Sequence, residues 1–251
     1  MNFFVRALVL LACFASIDAA AARVLNNCTT ISDPGPYVLG RNITANGDCF
    51  VVAADFVTVD LGGFVVSGNG TGSAFLEQLA VGRRGVTIRD GTITGFSSAV
   101  FMLNSGVTVE RIQATGNSFN AISAGDTSTV RNCQVLGNGG AGVALGQRGL
   151  VTGSTINDNQ GTGVNVGLGS SVIGNAVGRN VVGISTAEGG LVVNNISRNN
   201  SSYGISMDCP GAAIANTTSN NLGNNFNQVG VGTCDPNTAD CCVVNEHNST
   251  I

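Results

Sequence analysis

The densest run of ionisable residues in the chain is Arg89-Asp90, Glu110-Arg111 and Arg131. Guanidinium groups recognise carboxylates and sulfates through paired N–H donors. Arg89, Arg111 and Arg131, extended upstream by Arg83 and Arg84, therefore form a candidate ligand-binding set for an acidic polysaccharide. Arginine is scarce, yet five of eleven fall between positions 83 and 131. The same residues have a structural reading. Positions 89, 110 and 131 are 21 apart and alternate in sign, as in a surface salt-bridge ladder worth about 0–1 kcal/mol per exposed pair. Other chemistry is thin. There is no lysine to act as a base, and the single histidine, His247, sits in the C-terminal tail. No CxxC pair suits a metal, and Met102 and Met207 are scattered, so no metal and no cofactor is expected. Gly68-Asn69-Gly70-Thr71-Gly72 follows no strand–helix unit and does not read as a phosphate cradle.

What holds these residues is a 251-residue chain with 36 glycines, only 10% charged residues and no tryptophan. Its formal charge of −4 predicts neither nucleic-acid binding nor attraction to anionic membranes. Residues 1–22 read as an export signal: Arg6, an apolar stretch over 7–17, then small residues at 19–22. A secreted or periplasmic protein is expected, with lipid anchoring through Cys13 in Leu10-Leu11-Ala12-Cys13 as the alternative. No later segment is long and apolar enough to span a bilayer. Removing the signal leaves seven cysteines, and export makes disulfides permissible.

The chain repeats. Ile88, Val109, Val130, Val151, Val172, Val193 and Ile214 are spaced by 21, and Ile93, Ala114, Val135, Ile156 and Val177 keep the same step. A third series runs Phe101, Ile122, Val143, Val164, Ile184 and Ile205, and a fourth is Asn117, Asn138, Asn159 and Asn180. Val-Thr-Val and Val-Thr-Ile triplets are strand alternation, and 21 residues hold about three short strands with their bends. The expected fold is therefore all-β: a single-stranded right-handed parallel β-helix, a solenoid of coils of about 21 residues. Residues 23–47 read as an N-terminal cap, 48–221 as coils, and 222–251 as a C-terminal cap and tail. Cys28–Cys49 and Cys209–Cys234 are the expected staples of the two ends, Cys133 is a buried thiol beside the ladder, and Cys241 and Cys242 are unassigned. The step from Val59 to Ile88 is 29, which places a projecting loop within residues 70–84.

The run from Val57-Thr58-Val59-Asp60-Leu61-Gly62-Gly63-Phe64 to Gly68 resembles the first coil of secreted right-handed parallel β-helix repeat proteins in the pectin lyase-like superfamily. Residues 36–39, 42–44 and 49–52 resemble the N-terminal pattern of that family, and Tyr203-Gly204-Ile205-Ser206 with Cys209-Pro210 resembles its closing coils. The resemblance implies the β-helix and leaves the activity open. Enzymes of the superfamily use paired aspartates, carboxylates that hold calcium, or an Arg or Lys base. This sequence has no Asp-Asp pair, no histidine in the coils and no Asp-Pro-His motif. Stacked threonines for ice binding are not repeated after Thr92-Ile93-Thr94, and Tyr37 and Tyr203 are the only tyrosines for sugar stacking. Two functions remain. One is a non-catalytic extracellular or cell-surface scaffold that binds polysaccharide; the other is a divergent polysaccharide lyase or uronan epimerase. The missing acid–base set favours the first.

Overall fold

The computed structural model describes residues 21–78, 81–104 and 106–224, with backbone alone for 226–229, 242–244 and 249–250. Nearly all of the expected signal, with Cys13, lies outside the described residues, as do Cys234, Cys241, His247 and the Cys242 side chain. The described chain is a parallel β-solenoid. Every strand pairs in parallel with its counterpart one coil away, for example Val109 with Val130 and Val130 with Val151.

Each coil has three faces but only two sheets form among the described residues, of nineteen and ten strands. The larger sheet wraps around one corner, because strands such as Val107–Thr115 run through it unbroken. Each corner turns on a residue in the left-handed region: Asp90, Arg111 and Asn132 at the first, with φ of 62°, 50° and 55°. Asp158, Arg179 and Asn199 mark the second corner, and Phe56, Thr127 and Arg148 the third. Between corners, alternate residues point inward, and Ile88, Val109, Val130, Val151 and Val172 form one fully buried column. Each such side chain contributes about 1.5–3 kcal/mol before its entropic cost.

The inner column then departs from the 21-residue step. Val172 pairs with Val192, and Val192 with Ala213. Val192 and Ala213 are buried, whereas Val193 and Ile214 point outward. One residue is missing from the turn between Asn180 and Gly183, so Asn180 stacks on Asn200 at a separation of 20. A one-residue slip moves every following side chain to the other face. The third series needs a similar correction at its start: Val100, not Phe101, pairs with Ile122 and is buried, and Phe101 faces out.

The long coil is also distributed differently from the expected single loop. Val59 to Val66 takes seven steps where the next coil takes five from Ile88 to Ile93. Val66 to Phe75 takes nine where Ile93 to Val100 takes seven, and Phe75 to Ile88 takes thirteen where Val100 to Val109 takes nine. All three corners are therefore enlarged, the third most. Residues 23–47, expected to cap the stack, already form rungs: Arg23–Leu25 pairs with Gly35–Leu39, and Thr29–Ile31 with Phe50–Val52. A disulfide joins Cys28 to Cys49 across these two rungs. Cys209 is also disulfide-bonded, to a cysteine whose side chain is not described. Cys133 is a free, buried thiol, and burial pushes its pKa up to about 11.

Candidate functional site

At the first corner two neighbouring columns carry charge. The strand-end column reads Asp60, Arg89, Glu110, Arg131 in register. The corner column beside it begins Asp90, Arg111. Together they make a continuous chain of ion pairs. Arg89 reaches Asp60 at 3.1 Å and Asp90 at 3.6 Å. Arg111 grips Asp90 with two parallel bonds, from Nε at 2.5 Å and Nη2 at 2.9 Å, and donates to Glu110 at 2.9 Å. Arg131 closes the chain on the other Glu110 oxygen. The Glu110 side chain is only 5% exposed, so both its oxygens are used where water scarcely reaches.

The electrostatics follow from these contacts. The hydrogen bonds from Arg111 hold the Asp90 carboxyl below its usual range, and Asp90 in turn raises the Arg111 guanidinium. A general acid or base must change protonation near its working pH. These partners hold each other in the charged form. A second bidentate pair, Arg179 on Asp158, stands at the second corner and lowers the Asp158 carboxyl in the same way.

The structure thus brings Arg89, Arg111 and Arg131 together, with Asp60 as a member that the sequence reading missed. Three arginines face three carboxylates, so the column is balanced, not cationic. Arg83 and Arg84 are not part of it. They stand at the third corner, on the order of 15 Å along the coil from Arg89, and line a cleft of about 520 Å³ with Leu103, Asn104 and Asp126. Beside that cleft the buried Glu77 carboxylate accepts from the Asn104 backbone and side-chain amides. Among the described residues no three His, Cys, Asp or Glu side chains are grouped as metal ligands.

Next to the charged column, on the second face, an uncharged strip opens. Thr92, Gln113 and Gln134 point outward in register on three successive rungs. They line a shallow groove of about 340 Å³ with Arg111 and Asn132 at its rim. The alternation in the sequence places these residues outside but does not single them out, because a glutamine pair has no motif.

Two polar ladders stiffen the interior behind these surfaces. Asn117, Asn138, Asn159 and Asn180 stack amide on amide, and the column continues through Asn200 to Asn221. In Asn138, Asn159 and Asn180 the oxygen accepts the backbone N–H and the amide of the asparagine one coil earlier, while the nitrogen also donates to a carbonyl, Ala114 O, Val135 O and Ile156 O in turn. Small residues make room for the amides: a Cβ on Gly163 would come within 2.7 Å of Asn180 Nδ2. A second ladder, Ser154, Asn175, Asn195 and Asn216, runs behind the first corner, with the Cys133 N–H donating to Ser154.

A family model described as a right handed beta helix region matches residues 24–182. No curated protein sequence matches the chain. Among solved structures, the A-module of the mannuronan C-5 epimerase AlgE6 of Azotobacter vinelandii is 13% identical with a TM-score of 0.45, over 91% of this chain and 80% of that one. The A-module of AlgE4 from the same organism is 15% identical with a TM-score of 0.41, over 75% and 70% of the two chains. The Agl-KA catalytic domain is 10% identical with a TM-score of 0.36, over 86% and 61%.

Proposed function

For a chain that belongs to the right-handed β-helix family, we propose a non-catalytic role: an extracellular scaffold that binds an extended polysaccharide along the Thr92–Gln113–Gln134 strip. The observation that carries this reading is the closed chain of ion pairs from Asp60 to Arg131. Each carboxylate of the chain is paired with a guanidinium, Asp60 with Arg89, Asp90 with Arg89 and Arg111, and Glu110 with Arg111 and Arg131. The densest charge among the described residues is therefore taken up by coil register, and Asp90 and Arg111 hold each other in the charged form. The strip beside it has the opposite character. Its amides and hydroxyl both donate and accept, as sugar hydroxyls do, and they recur at the roughly 4.8 Å rung spacing. Arg111, though paired, and Asn132 stand at the rim, where their N–H groups can donate to a carboxylate or hydroxyl. Because the column is balanced, acidic chains gain little over neutral ones, and binding depends weakly on salt. Work outside the cytoplasm is supported by the Cys28–Cys49 bond and by the disulfide at Cys209.

The test is a panel of neutral and acidic polysaccharides scored for binding by calorimetry. Turnover is followed in parallel by ultraviolet absorbance of unsaturated uronate, by release of reducing ends and by uronate epimer composition. The expected result is binding without product, lost in Gln113→Ala with Gln134→Ala. Any product formed by the wild type overturns the non-catalytic reading.

A further inference from the structure

The cleft at the third corner holds a cation and an anion that do not pair. Arg84 and Asp126 each stand three residues before a threonine of the same column, Thr87 and Thr129. They therefore occupy the first and third of three successive rungs, on the order of 10 Å apart along the stack. Both line the cleft of about 520 Å³, and neither side chain forms an ion pair among the described residues. At the first corner, by contrast, opposite signs on adjacent rungs close on each other, as Arg131 does on Glu110. Asp126 gives one oxygen to the Gln147 N–H, and its other oxygen accepts no bond among the described residues. Arg84 is fixed by its backbone, whose N–H donates to Asp55 and whose carbonyl accepts from Phe56, while its guanidinium is uncommitted.

The walls of the cleft are built closely. A Cβ on Gly82 would overlap the Asn104 carbonyl oxygen, so only glycine lets the segment that carries Arg83 and Arg84 lie against the next coil. On the rung between Arg84 and Asp126, a Cβ on Gly106 would meet Thr127 Oγ1 at 3.0 Å. Beneath, the buried Glu77 carboxylate accepts both the backbone N–H and the side-chain amide of Asn104 at 2.8 Å. That grip turns the Asn104 nitrogen toward Glu77 and leaves its Oδ1 as an acceptor at the wall.

We propose that this cleft binds a small zwitterion, a ligand with one carboxylate and one ammonium, which is the chemistry of a free amino acid or a short peptide. Arg84 takes the carboxylate through two parallel N–H donors, with Arg83 beside it. The ammonium has three donors and no acceptor, and Asp126, Asn104 Oδ1 and Thr127 Oγ1 offer it three oxygens. Leu103, 51% exposed at the rim, meets an aliphatic side chain. The volume lies within the range of about 300–1,000 Å³ usual for ligand clefts and has room for a dipeptide. Other classes fit less well. A simple anion would meet repulsion from Asp126, a simple cation would meet it from Arg84, and a neutral sugar would desolvate both charges without pairing either. The cleft stands at a different corner from the Thr92–Gln113–Gln134 strip and does not depend on it.

Calorimetry on the full chain tests this with leucine, glycylleucine, its N-acetyl and C-terminal amide forms, and glucuronate. The free dipeptide or leucine binds, whichever of the two is the tighter, and blocking either terminus of the dipeptide weakens it at least tenfold. Arg84→Gln removes the preference for the free carboxylate over the amide, and Asp126→Asn removes the preference for the free ammonium over the acetyl form, both with circular dichroism unchanged. Should Arg84→Gln misfold, Arg84→Lys, which keeps the charge and loses the paired donors, weakens the carboxylate preference. Gln113→Ala with Gln134→Ala leaves dipeptide binding as it was. Glucuronate bound as tightly as the dipeptide, blocked forms bound as well as the free one, or no binding of either zwitterion overturns the proposal.

Discussion

Replacing Asn159 by alanine removes four hydrogen bonds at once from a position with no route to water. The Asn159 oxygen accepts from the Asn138 N–H and amide, and its nitrogen donates to Val135 O and to the Asn180 oxygen. Asn180 keeps the Asn159 backbone N–H as a donor, so its oxygen is not orphaned. The Asn138 N–H is. An unsatisfied buried donor costs about 1–3 kcal/mol, the weakened Val135 carbonyl and Asn138 amide add a comparable sum, and the cavity adds to both. The total is roughly 4–6 kcal/mol, a large part of the 5–15 kcal/mol that holds a typical domain. In a solenoid the loss falls on the neighbouring coils first, since each rung contacts only the next. Urea unfolding followed by circular dichroism reads the loss, and native-state hydrogen exchange at the Asn138 and Asn159 amides reads its location. The exposed Asn165→Ala serves as control and changes stability by no more than about 0.5 kcal/mol. Asn159→Ala within 1 kcal/mol of the wild type, with Asn138 exchange unchanged, would refute the claim that the ladder supports the coils.

The register correction predicts that Val192→Asp abolishes cooperative folding while Val193→Asp folds, because only the first buries an unpaired charge; expression and melting curves separate them. Opening Cys28–Cys49 by the double serine variant costs about 3 kcal/mol on a chain-entropy basis for its 21-residue separation, read as a lower urea midpoint. Cys133 resists thiol reagents at pH 8 in the native state, since burial raises it to about 11, and is labelled at once in urea. Asp90 and Asp158 are lowered in the fold. Their contribution is therefore present above the unfolded carboxylate pKa and is lost as pH falls through the folded values. Acid unfolding of Asp90→Asn is accordingly less steep than that of the wild type.

The repeat was legible because Ile88 to Val172 keep one step and the first three of them, Ile88, Val109 and Val130, are flanked by polar residues that mark the outside. It failed where the flanks stop marking. Val192 and Val193 are both valine, and Val100 and Phe101 are both apolar, so alternation is silent there and only the missing residue near Asn180 decides. Asn117 to Asn180 stood out as an unbroken asparagine column. Its sibling did not, because that column changes from Ile112 through Cys133 and Ser154 to Asn175 before the 20-residue step breaks it. At the site, the alternating column was visible from Arg89 to Arg131, and Asp60 was hidden by the long coil. The distance of Arg83 and Arg84 from that column follows from which corner each occupies, a property of the bends and not of sequence proximity. The Gln113–Gln134 strip was legible only in the folded structure, because only the groove beside the column distinguishes it from other outward residues.

The central claim is that the charged column holds the coils together and does no chemistry. A double-mutant cycle on Glu110→Gln and Arg131→Ala, measured by urea unfolding, tests it most directly, with polysaccharide binding followed on the same four proteins. For a pair whose carboxylate is 5% exposed, the account predicts that each single change lowers stability and that the coupling energy is about 1 kcal/mol or more, with binding at the glutamine strip retained. Single changes that leave stability untouched yet abolish binding or turnover would contradict it.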